Sequence, residues 1–286
     1  MSSKKIDQIN KKTMQKSIGH YSWKDALTPA EIAAIRHVED AQGKPILDLG
    51  VGAGRTAVPL REISDEYIGI DYVHEMVEEC SRKFPELRFE HGDARDLSQF
   101  EDNSFYLIMF SMNGISMVDH HDRIKILKEV HRILMPGGSF LFSTYNQDSD
   151  EYKKLLVLPE FDFSWNPLRL FVRSIRYGSN LVKSGLNRCR FKKYEIHTPE
   201  YSMVNDVCHN YATLLYYISQ ENQIKQLASA GFDGESVAAF DLSGEKIKDG
   251  TKDGSIFYVV KKGTEESVES RCWNTAALAE SMPGTG

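Results

Sequence analysis

Cysteine is scarce and unpaired in this 286-residue sequence: its four thiols are Cys80, Cys189, Cys208 and Cys272, and no two form a Cys-x-x-Cys pair. That argues against a disulfide framework and a structural zinc site, and it fits a reducing, cytoplasmic setting. Long apolar runs are also missing. No segment approaches the ~20 residues that cross a bilayer, and the N-terminal MSSKKIDQIN holds no apolar signal region. A basic excess is missing as well: the net charge is −6, so overall charge gives nucleic-acid binding no support. No internal repeat is visible. What is present, 41% hydrophobic and 27% charged residues, is the composition of a globular chain. A domain of this size buries about 70–75% of its unfolded surface without staples.

Residues 1–20 are polar, with four lysines among the first twelve, and read as a flexible arm; residues 1–27 together are expected to form an N-terminal arm or lid. Thr28-Pro29-Ala30-Glu31 is a helix start, with Thr28 as N-cap, Pro29 in the first turn and Glu31 closing a capping box. Short apolar runs follow at Pro45–Leu49, Tyr67–Ile70, Leu87–Glu90, Phe105–Met112 and Ser139–Thr144. Helical patterns separate them, with Val73, Val77, Cys80 and Phe84 on one face and Leu127, Val130 and Leu134 on another. This alternation predicts a parallel sheet with helices on both faces. Pro136-Gly137-Gly138 is expected to stop the last of these helices. The rhythm then breaks: residues 147–218 are aromatic-rich and irregular and read as a cap insert. Gln220–Ala230 reads as a helix, and Val237–Leu242 and Ile256–Lys261 as antiparallel neighbouring strands. The core is thus expected at 28–146 and 219–263, with a disordered tail over 264–286.

The most informative stretch is Ile46-Leu47-Asp48-Leu49-Gly50-Val51-Gly52-Ala53-Gly54-Arg55-Thr56. A strand that runs through glycines into a helix offers backbone N–H groups to a ligand. The spacing is G-x-G-x-G, with Arg55 where a dinucleotide fingerprint has its third glycine, and no Gly-Lys-Ser/Thr phosphate loop follows. This stretch resembles the nucleotide-binding motif of class I S-adenosylmethionine-dependent methyltransferases. Further matches are Ile68-Gly69-Ile70-Asp71, His91-Gly92-Asp93-Ala94, the strand-like Phe105–Phe110 and Leu134-Met135-Pro136-Gly137-Gly138. The sequence departs from common choices at Arg55 and at Tyr106, where many relatives carry aspartate.

The resemblance implies a Rossmann-like α/β fold: a seven-stranded, mostly parallel sheet with an antiparallel last strand, helices on both faces and a cap insert after the fifth strand. It implies S-adenosyl-L-methionine as cofactor. Gly50, Gly52 and Gly54 would wrap its methionine part, with Asp48 near the amino group, and Asp71 would accept from the ribose hydroxyls. Tyr72 would lie on the adenine, Asp93 and the Ala94 amide would meet the adenine edge, and Phe110 or Ser111 would offer a carbonyl to the ammonium.

The acceptor is less legible. The Asn-Pro-Pro-Tyr signature of amide and exocyclic-amine methylation is replaced by Ser111-Met112-Asn113-Gly114. His120-His121-Asp122 sits at a helix start and reads as cap and surface, so no metal site is assigned. The lid aromatics Tyr21 and Trp23, with Asn113, Tyr145 and Asn146 near the mouth, are candidates for holding substrate. Tyr21, His209 and Tyr211 are candidates for taking a proton. Residues 163–194 hold eight Lys or Arg and no acid. Arg169, Arg173 and Arg176 share one face of a helix starting at Asn166-Pro167, opposite Leu168, Phe171, Val172 and Ile175. That face reads as a solvated cap surface, as a patch for an acidic substrate through Arg173, or, ranked lower, as an RNA or anionic-membrane contact. The expected function is methyl transfer to nitrogen or oxygen of a small molecule, anionic secondary metabolites included, by a monomer or homodimer. The alternatives are an RNA methyltransferase and a cofactor-binding protein without turnover.

Overall fold

Strand β1 (Ile46–Leu49) is buried at every position, and the sheet is built outward from it. The computed structural model describes residues 3–16, 26–153, 161 and 163–264. Around β1 stand β2 (Tyr67–Asp71), β3 (Arg88–His91), β4 (Phe105–Phe110), β5 (Leu134–Asn146), β9 (Ala238–Phe240), β10 (Lys246–Ile247) and β11 (Ser255–Lys261), in the order β10-β9-β11-β5-β4-β1-β2-β3. The strands from β3 to β5 are parallel, whereas β11 runs antiparallel between β5 and β9. The expected Rossmann-like, mostly parallel sheet with an antiparallel last strand is present. The sheet is larger than seven strands, because β10 adds a short hairpin edge and β6 (Ile196–His197), β7 (Ser202–Asp206) and β8 (Thr213–Ile218) branch from the end of β5.

The period-two pattern assigns each strand residue to one of two cores. Leu47, Leu49, Ile108, Phe110, Phe140 and Phe142 face one side, under helices α5 (His120–Ile133) and α8 (Gln220–Ser229). Ile46, Leu107, Met109 and Leu141 face the other, under α2 (Pro29–His37) and α3 (Ala57–Ile63). Helix α4 (His74–Lys83) packs beside β2 and β3. The capping box of α2 is present. Asp119 caps α5 by accepting from the Asp122 amide, so the His-His-Asp stretch is a helix start. Arg123 of α5 is wholly buried and donates to Gln223, Gln226, Thr144 and the Ile115 carbonyl, lacing α5 to α8 and β5.

Three expectations are corrected. Residues 3–15 are a helix, α1, not a flexible arm. Ile6 and Ile9 are buried beside Leu214 and Tyr216, and the Asn10 side chain donates to the Leu214 and Met117 carbonyls while accepting from the Leu214 amide. Pro136 does not end α5: the helix stops at Ile133, and β5 already runs through the Pro-Gly-Gly, with Gly137 at φ +77°. The insert is regular: it contains α6 (Asp150–Lys153), the long α7 (Pro167–Phe191) capped by Asn166, and the antiparallel β6–β7–β8. Strand β8 joins the sheet by pairing in parallel with Tyr145 and Asn146 of β5. Tyr21, Trp23 and the tail from residue 265 lie outside the described residues.

Candidate active site

A cavity of about 990 Å3 opens at the carboxyl ends of β1, β2 and β4, where an open α/β sheet binds ligands. Its floor is the glycine turn. Gly50, Gly52 and Gly54 all have left-handed backbones, at φ +63°, +57° and +81°. Their roles differ. A Cβ on Gly50 would stand 2.7 Å from the Phe110 ring, and one on Gly54 would stand 2.6 Å from Phe84. Gly54 therefore seats α4 and does not line the cavity. A Cβ on Gly52 would meet only the Gly50 carbonyl, at 3.9 Å, and would otherwise take up cavity space.

Asp71 closes β2 beneath this turn. Its Oδ2 accepts from the Gly52 amide at 2.9 Å and its Oδ1 from the Val73 amide at 2.8 Å. Burial pushes its pKa up, against those two hydrogen bonds. Each oxygen keeps a second lone pair for a ligand hydroxyl. Tyr72 follows in the wall, with the Lys11 ammonium 5.1 Å from its ring centroid. Asp93 and Ala94 line the same end. Burial raises the Asp93 pKa, but the hydrogen bonds from Arg95 outweigh it and hold the carboxylate below its ordinary range. No motif in the sequence marks Arg95. It also bonds Asp122 and pairs with Asp7 of α1, each at 3.0 Å, and so fastens α1 over the cavity.

Asp48 lies under the turn, 1% exposed, accepting from Thr56 Oγ1 at 2.5 Å and Tyr67 Oη at 3.0 Å. Burial outweighs these bonds and pushes its pKa up to about 7. The folded chain then holds more protons than the unfolded one between about pH 4 and 7. This group's contribution to stability therefore falls as pH rises through that window. Asp48→Asn is expected to flatten the decline, so that the urea midpoint of the cofactor-free protein drops less between about pH 5 and 8 than in the parent. A cationic ligand beside Asp48 would displace its proton, so cofactor affinity should rise with pH across neutrality in the parent and not in the variant.

Arg55, the residue out of pattern, is a clamp. It grips Glu31 of α2 through Nη1–Oε2 at 2.6 Å and Nη2–Oε1 at 2.5 Å, and reaches Ser111 at 3.3 Å. Ser111 in turn donates to Glu31. Burial raises the Glu31 pKa, but bonding and charge from Arg55, with Ser111 and Thr28, bring it below the usual carboxylate value. The capping box signals Glu31 in the sequence, but its second partner is 24 residues away.

Beyond β4 the backbone is strained. Met112 and Asn113 stand at φ +50° and +59°, and the Asn113 amide donates to Ser143 Oγ. The link from β7 to β8 goes further: His209, Asn210 and Tyr211 are three successive left-handed residues, at φ +52°, +56° and +58°. None is glycine, and each such conformation costs about 1–2 kcal/mol. Asn205 holds the turn by donating to the Tyr211 and Thr213 carbonyls, and Asn187 of α7 donates to the Asn210 carbonyl. The turn puts His209 and Asn210 on the cavity wall.

Of the expected site residues, Asp48, Gly50, Gly52, Asp71, Tyr72, Asp93, Ala94, Phe110, Ser111, Asn113, Tyr145 and His209 line this cavity. Four do not. Gly54 packs on α4, and Tyr211 lies buried beneath the Arg188 guanidinium. Asn146 ties down the Thr251 and Asp253 carbonyls. Arg173 donates to the Phe163 carbonyl, and Arg176, one turn on, lines the cavity instead. The glycine cradle, the free lone pairs of Asp71 and the open space at Gly52 fit a nucleoside cofactor with an amino-acid tail.

Residues 46–138 match the family described as a methyltransferase domain. An uncharacterized methyltransferase of Bacillus subtilis is 36% identical over 131 residues, 43% of this chain and 47% of that protein. The chain thus spans about half the length of that relative. A demethylmenaquinone methyltransferase of Chlorobaculum parvum is 25% identical over 177 residues, 55% of this chain and 72% of the relative. In fold, the chain is similar to the crystal structure of the Burkholderia thailandensis 1,6-didemethyltoxoflavin-N1-methyltransferase with bound 1,6-didemethyltoxoflavin and S-adenosylhomocysteine. The TM-score is 0.58 at 13% identity, covering 92% of this chain and 91% of that one.

Proposed function

We propose that this chain, whose residues 46–138 match a methyltransferase domain, is S-adenosylmethionine-dependent and moves a methyl group to a nitrogen or oxygen of a small-molecule acceptor held beneath α7, with His209 taking the acceptor's proton. One observation carries this reading: a single cavity joins the glycine turn and Asp71 to a histidine on a strained turn. The cofactor, when bound, supplies a sulfonium-activated methyl group. Gly50, Gly52, Asp71, Tyr72 and Asp93 would hold it, and Asp48 would answer its ammonium. What remains for the chain is to aim a nucleophile in line, exclude water and receive a proton. Asn113, Tyr145 and Arg176 line the acceptor side, and Arg176 favours an acceptor with negative charge. The relatives support the substrate class, since demethylmenaquinone and 1,6-didemethyltoxoflavin in their names are both small molecules.

Calorimetric titration with S-adenosylmethionine, S-adenosylhomocysteine and NAD tests the premise. The two sulfur compounds are expected to bind, and Asp71→Ala to weaken both by about 10–100-fold, the worth of hydrogen bonds to a charged group. NAD binding without either sulfur compound would overturn the cofactor assignment and every role above.

A further inference from the structure

Helix α7 has an inverted exposure. Its polar face, with Arg176, Asn180 and Ser184, roofs the cavity. Its apolar face points the other way, and nothing among the described residues covers it. Leu168, Ile175 and Leu186 are 73%, 58% and 67% exposed, and Phe171, Val172 and Val182 share their face. Only Ser184 and Phe191 of the helix are buried. Trp165, just before the N-cap, is 93% exposed. Single exposed apolar residues are ordinary, but a stripe from Leu168 to Leu186, about 27 Å at 1.5 Å per residue, marks an interaction surface.

The charge pattern selects the partner. Leu168, Ile175 and Val182 recur every seven residues, and Arg169, Arg176, Lys183 and Arg190 recur at the same interval directly beside them. Between residues 163 and 194 there are eight cations and no anion, in a chain of net charge −6. Arg188 is tied to Glu195. A heptad stripe alone would suit a second copy of the helix. Two copies would bring rows of like charge together, and α7 has no acid to pair with them. We propose instead that α7 docks on an anionic lipid bilayer: the apolar stripe enters the acyl boundary, the edge cations Arg169, Lys183 and Arg190 meet lipid phosphates, and Trp165 sits at the interface. Docking is in-plane, since no helix among the described residues is long and apolar enough to cross a membrane. It places the cavity roof against the lipid surface.

The test is flotation of the full chain with vesicles of phosphatidylcholine alone or mixed with phosphatidylglycerol, without cofactor or acceptor, so that its outcome is independent of the proposed reaction. Binding to the phosphatidylglycerol vesicles is expected to be at least tenfold tighter and to weaken at least tenfold between about 0.05 and 0.5 M salt. Ile175→Glu/Leu186→Glu should abolish it while the calorimetric affinity for S-adenosylhomocysteine stays unchanged, which shows that the variant folds. Arg169→Ala/Lys183→Ala/Arg190→Ala should lose only the preference for phosphatidylglycerol. Failure of the parent to float with either vesicle, or equal binding to both, overturns the proposal. So does a dimer in light scattering that the Ile175/Leu186 pair dissociates without any vesicle binding by the parent.

Discussion

His209→Ala is expected to slow methyl transfer by about 10²–10⁴-fold, the usual contribution of a positioned general base. Cofactor affinity should stay within about twofold, because the glycine turn and Asp71 are untouched. The argument begins from the backbone. Three consecutive left-handed residues oppose folding by several kcal/mol at about 1–2 each. Asn205 and Asn187 hold the turn against that cost. If the turn only joined β7 to β8, glycine would serve it better. His209→Gly should therefore stabilise the fold by about 1 kcal/mol while losing activity like the alanine variant. Added imidazole should restore part of the rate to either variant if the ring takes the proton. A rate within threefold of the parent, on any acceptor the parent methylates, would remove His209 from the chemistry.

Arg55→Met is expected to lower stability by about 3–5 kcal/mol, because it leaves Glu31 buried without its cation. Glu31 has a fully buried side chain, and that of Arg55 is 12% exposed, so water replaces little of what is lost. Such a loss is a large part of the ~5–15 kcal/mol that a domain commands. Glu31→Gln/Arg55→Met should recover most of it, since the second change removes the stranded charge. Urea unfolding of the parent, both single variants and the double variant gives the coupling energy directly. A coupling near zero would make the clamp a contact without energetic weight. The clamp also has a functional side: it joins the turn to Ser111 at the end of β4, so Arg55→Met should weaken cofactor binding even in the molecules that remain folded.

The parallel core was legible because its strands are short apolar runs whose alternation matches a two-sided burial, as in β4 and β5. The side of the cavity proposed to hold the cofactor was legible for a related reason: Gly50, Gly52, Asp71 and Asp93 reach it from the ends of neighbouring strands, so their spacing in sequence sets their spacing in space. Other features were hidden by distance or by composition. The four lysines of α1 masked the buried face made by Ile6, Ile9 and Asn10. The end of α5 was misplaced because Pro136 and Gly137 serve a bend within β5. The proposed acceptor side is assembled from α7, the β7–β8 turn and the ends of β4 and β5, and no local pattern says which residue on a basic helix turns inward. Arg176 does and Arg173 does not, although both lie on the face that helical spacing predicts. Asn146 stands near the mouth in the sequence reading because it follows the apolar run Ser139–Thr144, but it ends β5 and its amide is taken up by the loop at Thr251 and Asp253.

The bonds between Asn10 and Leu214 span 204 residues, and they set an order of events during synthesis. Helix α1 leaves the ribosome long before β8 exists, and its buried face has no seat until then. The glycine turn, Asp71 and Asp93 are complete within the first third of the chain. The wall that α1 contributes through Asp7 and Met14 waits for the last quarter. A nascent chain therefore carries a half-built cavity that cannot yet close, and α1 remains open to chaperones or proteases until the β7–β8 hairpin emerges.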